Sequence, residues 1–139
     1  MMQDLKSQIN PAVSLVPAVR TAGAANGTAV ALADYNSAVA TFSFGDLGGG
    51  AATPKIQESN DGSTNWVDID ASRLNGTLAA ATANSVQSVG ITDIGGLTKA
   101  FVRAVITVTG GTGAGCAATI VRGNPVKGPA GVGGSAYIA

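Results

Sequence analysis

Several short stretches of this chain alternate apolar residues with polar or small ones, which is the pattern of β-strands. The clearest stretch covers residues 100–108, where β-branched residues predominate and the length suits a central strand. We predict that its inward side carries Val102, Ala104, Ile106 and Val108. The outward side would then carry Phe101, Arg103, Val105 and Thr107.

Six further runs fit the same pattern, around Val30 and Leu32 and over residues 38–44, 55–59, 66–69, 85–91 and 117–122. In the second of these runs, Ala40, Phe42 and Phe44 share one face. Turn signals separate the runs, at residues 45–50, 60–62, 95–96 and 110–115. Short strands at this spacing predict an all-β fold, either a single antiparallel β-sandwich or a jelly roll. The strand order, jelly roll or immunoglobulin-like, stays open.

The most informative local feature is a predicted hairpin over residues 55–69. Its turn, Asn60-Asp61-Gly62, supplies residues that tolerate positive φ, so the chain can reverse between two strands. The return strand begins at Trp66, the only tryptophan of the chain.

Changes in composition divide the chain into three zones. We predict an extended N-terminal arm over residues 1–27, a β-sandwich body over residues 28–122 and an extended C-terminal tail over residues 123–139. Prolines and glycines recur in the tail, which therefore cannot form regular structure by itself.

The arm has an alternating pattern of its own. Val13, Leu15, Pro17 and Val19 recur at a period of two, which places them on one side of an extended chain. Because Pro11 and Pro17 cannot donate ladder hydrogen bonds, the segment belongs at a sheet edge or on another surface. Two interpretations stay open: a frayed terminus, or an arm that adds to the sheet of a neighbouring subunit.

The residues that most often carry catalysis are scarce in this sequence. It has no histidine, which removes the usual general base and any Ser-His-Asp triad, and one cysteine, Cys116. We expect Cys116 to be a buried packing thiol and the protein not to be an enzyme. The glycines at residues 110–115 lack the Lys-Ser/Thr of a phosphate-binding loop and lead into a predicted strand, so we predict a plain turn there.

Candidate oxygen ligands for a metal are Glu58, Asn60, Asp61, Asp68 and Asp70. Their spacing does not match an EF-hand loop, and turn or outward strand positions account for the aspartates. We therefore predict no metal and no cofactor.

Charge and hydropathy set expectations for partners. The formal net charge is zero and no basic cluster is present, so we expect no nucleic-acid partner and no membrane partner. The first twenty residues lack the apolar core of a signal peptide, and no stretch reaches the roughly 18–20 apolar residues of a membrane span. We expect synthesis in the cytoplasm.

Four segments, in this order, resemble the small β-sandwich proteins that decorate or cement the capsids of tailed bacteriophages. They are the strand after Asp34-Tyr35-Asn36-Ser37, the hairpin 56–66, the strand 99–108 and the closing strand 118–125. The resemblance spans about residues 29–125. The hairpin alone is also similar to those of discoidin-like and carbohydrate-binding jelly rolls.

The phage resemblance implies a structural virion protein on the capsid exterior, with no catalytic residues. Such a protein would bind the major capsid protein, associate with itself as a homodimer or homotrimer and bridge neighbouring shell subunits. The contact residues we then predict are Val13, Leu15, Val19, Tyr137 and Ile138. Two alternatives stay open: a carbohydrate-binding module that uses the loops around Trp66, and another virion part such as a tail-tube or head-completion subunit.

Overall fold

The computed structural model describes residues 5–92, 94 and 98–125. Within these residues the chain forms ten strands and two short 3-10 turns, at Leu5–Gln8 and Ala71–Arg73. In chain order the strands are β1 (Ile9–Arg20), β2 (Gly23–Asn26), β3 (Val30–Ala31), β4 (Tyr35–Phe44), β5 (Ala51–Ser59), β6 (Val67–Asp68), β7 (Leu74–Asn75), β8 (Ser85–Ile91), β9 (Phe101–Thr109) and β10 (Ala114–Pro125).

The strands make two antiparallel sheets. Sheet A has the order β1-β10-β4-β8-β7, and sheet B has the order β2-β9-β5-β6, with β3 also pairing with β9. The predicted all-β, antiparallel β-sandwich is confirmed. No helix in the described part of the chain is long and apolar enough to cross a membrane.

Inward side chains of both sheets meet in one hydrophobic core. Phe42 and Ile120 enter it from sheet A, and Val102 and Ile106 enter it from sheet B, all four without measurable exposure. Full burial of side chains of this size contributes about 1.5–3 kcal/mol each. The inward sides predicted for residues 38–44 and 100–108 are therefore confirmed.

Val105 differs from its predicted environment. It belongs to the outward row of β9, yet it is only 1% exposed and lies outside the core cluster. Its cross-strand partners are Lys55 on β5 and Asn26 on β2, so it occupies the middle of sheet B. A long lysine stem can cover an apolar neighbour on such a surface while its charged end stays in water.

Residues 45–50 and 110–113 form loops, as predicted, and these two loops pack against each other. The predicted turn at residues 95–96 lies outside the described residues. The backbone N–H of Thr112 donates to the carbonyl oxygen of Gly48 at 3.0 Å. Gly111 has a φ of 70°, and a Cβ there would lie only 2.5 Å from the backbone nitrogen of Gly50. Glycine is required at this point because any side chain would push the two loops apart.

The segment predicted as a separate arm is an edge strand of the protein's own sandwich. Residues 9–20 form β1, which pairs with β10 of the same chain. Beyond it, the backbone N–H of Gly27 donates to the carbonyl oxygen of Ala104 on β9 at 2.7 Å. The predicted boundary at residue 27 therefore does not coincide with a break in the fold. The expected position at a sheet edge, inferred from Pro11 and Pro17, agrees with the structure.

Candidate docking surface

The outward surface of sheet A is built from four long strands, β1, β10, β4 and β8, that pair in this order. One row across it runs Val13 on β1, Thr119 on β10, Thr41 on β4 and Ser88 on β8. The next row runs Pro11, Val121, Val39 and Gly90. We call the outward residues of β1, β10, β4 and β8 the docking face.

The docking face carries no acidic residue and almost no positive charge. In these four strands the charged residues are Arg20 and Arg122 alone. Arg20 Nη1 donates to the carbonyl oxygen of Cys116 at 2.8 Å, and Arg122 Nη1 donates to that of Ala31 at 3.0 Å. Both guanidinium groups are thus held against the protein's own backbone, and the other outward side chains of these strands carry no charge.

Exposed valines are concentrated on sheet A. Five of the seven large hydrophobic side chains that the described residues expose most belong to its strands: Val13, Val16, Val19, Val39 and Val86. A shallow groove beside Val19 is lined by Pro17, Ala117 and the backbone around Gly115. Thr119, Thr41 and Ser88 lie in register among these valines. A concentration of exposed apolar side chains on one sheet is nevertheless typical of a surface that contacts another macromolecule.

The size of the docking face suits a protein partner. At about 3.4 Å per residue and about 4.8 Å between strands, the four long strands cover about 650 Å². A standard protein–protein interface buries about 800 Å² on each partner. The face, with a small contribution from its margins, is therefore large enough for specific binding.

The residues predicted as contacts fall in three different environments. Val13 is 51% exposed and Val19 is also exposed, both on the docking face, whereas Leu15 is 5% exposed and belongs to the core. The register of β1 shifts between Val13 and Leu15, and this irregularity turns the two side chains to opposite sides. Leu15 is therefore not available to a partner while β1 is in place. Tyr137 and Ile138 lie outside the described residues.

Two exposed valines of the docking face were missed by the sequence analysis. Val39 lies between Ala38 and Ala40, and Val86 follows Ser85, so both occupy outward positions of predicted strands. The alternation contained this information, but an outward valine in an isolated strand looks like any other surface residue. Only the sheet order brings Val39 beside Val121 and close to Val13.

The outward surface of sheet B is chemically different, because it carries a network of planar polar groups around a tryptophan. Arg103 Nη2 donates to Gln57 Oε1 at 2.8 Å, and Gln57 Nε2 donates to Asp68 Oδ1 at 2.9 Å. Lys55 Nζ lies 3.2 Å from the same Asp68 oxygen. The Arg103 guanidinium lies 4.4 Å from the centroid of the Trp66 ring, which is a cation–π contact. We call these five residues the Trp66 cluster.

Electrostatics within the Trp66 cluster favour the charged form of its carboxylate. The hydrogen bond from Gln57 and the neighbouring Lys55 ammonium hold the pKa of Asp68 below its ordinary value, against a small opposing effect of burial. Burial lowers the pKa of Arg103, but a guanidinium stays protonated at any physiological pH. The cluster therefore presents fixed charges at neutral pH.

The predicted hairpin of residues 55–69 is present, with β5 and β6 paired at Gln57–Asp68 and Glu58–Val67. Its turn is held by Asp61, whose carboxylate accepts from the backbone N–H groups of Ser63 at 3.0 Å and Thr64 at 2.8 Å. Hydrogen bonds from Thr64 and Ser63 lower the pKa of Asp61 well below its ordinary range. Asp61 is thus committed to shaping the turn.

A buried ion pair lies behind the hairpin. Arg73 Nη1 donates to Glu58 Oε1 at 3.0 Å, and the backbone N–H of Lys99 donates to the same oxygen at 3.0 Å. Burial alone would raise the pKa of Glu58, but the hydrogen bonds from Arg73 and Lys99 together with their charges lower it. The Glu58 carboxylate is therefore part of the structure rather than an open ligand.

The remaining candidates named from the sequence are the lone cysteine and a possible metal site. Cys116 is a buried thiol facing the core, as predicted. Within residues 5–92, 94 and 98–125, no group of three or more His, Cys, Asp or Glu side chains is placed to hold a metal ion.

Comparison with known proteins adds a distant structural likeness. No family model and no curated protein matches the chain. A solved structure from work on Bacillus endospore appendages, described as a family of disulfide-linked pili, is similar with a TM-score of 0.49. Its identity is 14%, and the match covers 90% of this chain and 97% of the other. A likeness of this strength has no bearing on function or partner.

Proposed function

We propose that this protein decorates the outside of a phage capsid, where the docking face binds the major capsid protein and bridges neighbouring shell subunits. The observation that carries the proposal is the outward surface of sheet A, which has no carboxylate in its four long strands and exposes Val13, Val39 and Val86. The phage resemblance of the strand and hairpin segments supplies the identity of the partner.

The two faces of the sandwich suit a body held between a protein shell and solvent. Burying the exposed part of each valine contributes about 1 kcal/mol, and the docking face has no carboxylate whose desolvation would oppose binding. The Trp66 cluster, on the opposite sheet, keeps the charged groups of Lys55 and Asp68 exposed to water. A protein with these two surfaces has a defined orientation on a shell.

Single contacts of this size give weak binding, because association itself costs several kcal/mol. Self-association of the bodies as dimers or trimers would link two or three docking faces. Each bound face would then raise the effective concentration of the next one. This supports the proposed homo-oligomer and explains how valine-rich contacts could occupy a whole shell.

A second candidate function, also that of a structural virion protein, is a tail-tube or head-completion subunit. Both would use an uncharged sheet surface to contact protein, so the docking face does not separate them. Copy number does, because a shell-wide protein approaches the number of shell subunits whereas ring-forming parts occur in few copies.

The proposal is tested by placing one charge on the docking face and one at the edge of sheet B, away from that face. Val39 on the docking face is 41% exposed and Val67 on β6 of sheet B is 45% exposed, so the substitutions are closely matched. We expect Val39→Lys to reduce binding to purified capsids at least about tenfold, equivalent to about 1.4 kcal/mol, and Val67→Lys to leave it unchanged. Equal binding by the two folded variants, or a loss confined to Val67→Lys, would reject the docking face.

A further inference from the structure

Trp66 lies at the surface of sheet B and not in the hydrophobic core. Aromatic residues make up only 4% of this chain, and Phe42 and Phe44 are buried in the core. Trp66, the only tryptophan, is instead half-buried on the outward side of sheet B. Its ring is held there by the Arg103 guanidinium at 4.4 Å. A large amphipathic ring kept at a polar surface is a common feature of binding sites.

The polar members of the cluster are fixed in place before any ligand arrives. Gln57 Oε1 accepts from both Nε and Nη2 of Arg103, at 3.1 and 2.8 Å, so the plane of the guanidinium is set. Asp68 Oδ1 accepts from Gln57 and in turn sets the amide plane. Among the described contacts, Arg103 Nη1 and Asp68 Oδ2 have no hydrogen-bond partner, so the site offers an oriented donor and an oriented acceptor.

The spacing along the hairpin brings the ring and the carboxylate to one side. Trp66 directly precedes β6 and Asp68 ends it. Trp66 contacts Arg103, and Gln57 joins Arg103 to Asp68, so the ring and the carboxylate lie on the same side of sheet B. Two residues of extended chain span about 7 Å. That distance is comparable to the length of one sugar unit. A pyranose ring has an apolar C–H face that stacks on an aromatic ring, and hydroxyl groups around its rim that bind carboxylates and guanidinium groups.

We propose that the Trp66 cluster binds a neutral hexopyranose unit of a glycan, in addition to the docking role of sheet A. Trp66 supplies the stacking surface, Asp68 accepts from sugar hydroxyls and Arg103 donates to them. The surrounding side chains, Thr53, Lys55 and Thr107, are polar. This surface therefore favours a polyhydroxyl ligand over the apolar centre of a protein interface. Because the cluster and the docking face lie on different sheets, both can be occupied at once.

The test titrates the full chain with three neutral hexasaccharides, cellohexaose, chitohexaose and mannohexaose. The fluorescence of Trp66 reports contact with the ring directly, and calorimetry gives the affinity. We expect at least one of them to bind with a dissociation constant of about 1 mM or tighter. Trp66→Ala should weaken that binding at least about tenfold, and Asp68→Asn, which keeps the side-chain shape, should weaken it severalfold.

Val86→Ala on the docking face is the control and should bind the sugar as the parent does. No fluorescence change and no heat with any of the three sugars would overturn the proposal, as would binding that Trp66→Ala leaves intact. Quenching of Trp66 by purified capsid protein instead of sugar would also overturn it, since this surface would then be a protein contact. Failure here is distinguishable from failure of the docking role, because that role is measured by Val39→Lys on capsids.

Discussion

The hydroxyl of Ser14 on β1 accepts a hydrogen bond from the backbone N–H of Ala104 on β9 at 2.9 Å. The same hydroxyl donates to the carbonyl oxygen of Thr28 at 2.9 Å. One buried side chain of sheet A thereby satisfies two backbone groups of sheet B, where β1 would otherwise leave an open seam between the sheets. The register shift of β1 beside Ser14 allows this turn toward sheet B.

The close contact of β1 with sheet B around Ser14 predicts a strict requirement for glycine at position 27. A Cβ on Gly27 would collide with Ser14 Oγ and with the carbonyl oxygen of Ala104, and one of these is backbone that cannot yield. We expect Gly27→Ala to lower the free energy of unfolding by about 1–3 kcal/mol, measured by urea denaturation. Gly45→Ala is the control, because its Cβ would meet nothing nearer than 3.9 Å. Equal stability of the two variants would contradict the described seam.

The contact between β1 and β9 also illustrates what could not be predicted from the sequence. Strands β4 and β9 were predictable because inward apolar residues recur at a period of two along most of their length. β1 was recognised as an edge segment from its prolines, but Leu15 was assigned to the same side as Val13. The register irregularity that separates Leu15 from Val13 depends on the hydrogen bonds of Ser14 with Thr28 and Ala104. Partners so distant along the chain cannot be predicted from a local pattern.

The candidate surfaces also include one that could be predicted from the sequence and one that could not. The polar hairpin and Trp66 were evident from the order of residues, and so was the absence of histidine. The docking face was not evident, because only the pairing of β10 with β4 and β1 places Val39 beside Val121 and Val13 in the next row. Surface chemistry that spans several strands requires the sheet order.

The buried ion pair predicts that stability declines in acid. The pKa of Glu58 in the folded state lies below its ordinary value of 4.5, so the unfolded chain binds the proton more readily. Its contribution is present above about pH 4.5 and is lost as the pH falls through the folded pKa. We expect Glu58→Gln to cost about 3 kcal/mol at neutral pH and to show a smaller decline in acid than the parent, by urea denaturation across this range.

Arg73→Gln provides the matching control for this prediction. It leaves the Glu58 carboxylate buried without its cation, which raises the pKa of Glu58. The variant should therefore regain stability relative to the parent as the pH falls, because protonation relieves the unpaired charge. A parallel decline in all three proteins would contradict the role of the pair.

The pairing of β1 with its own chain is testable by disulfide trapping. Val13 and Thr41 lie on either side of Thr119, each in register with it. In a Cys116→Ala background, we expect the pair Val13→Cys with Thr119→Cys to form a bond within one chain, seen as a monomer on non-reducing gels. The control pair, Thr41→Cys with Thr119→Cys, must do the same because both strands are central. A dimer from the first pair alone, in solution or on capsids, would show that β1 adds to a neighbouring subunit.

The central claim is that this protein covers a capsid, and its copy number on purified particles tests that claim most directly. Quantitative mass spectrometry against the major capsid protein would give the ratio of the two chains. We predict a ratio near one to one, or a simple fraction of it set by a homo-oligomer on symmetry-related sites. A few copies per particle, or none at all, would contradict the account.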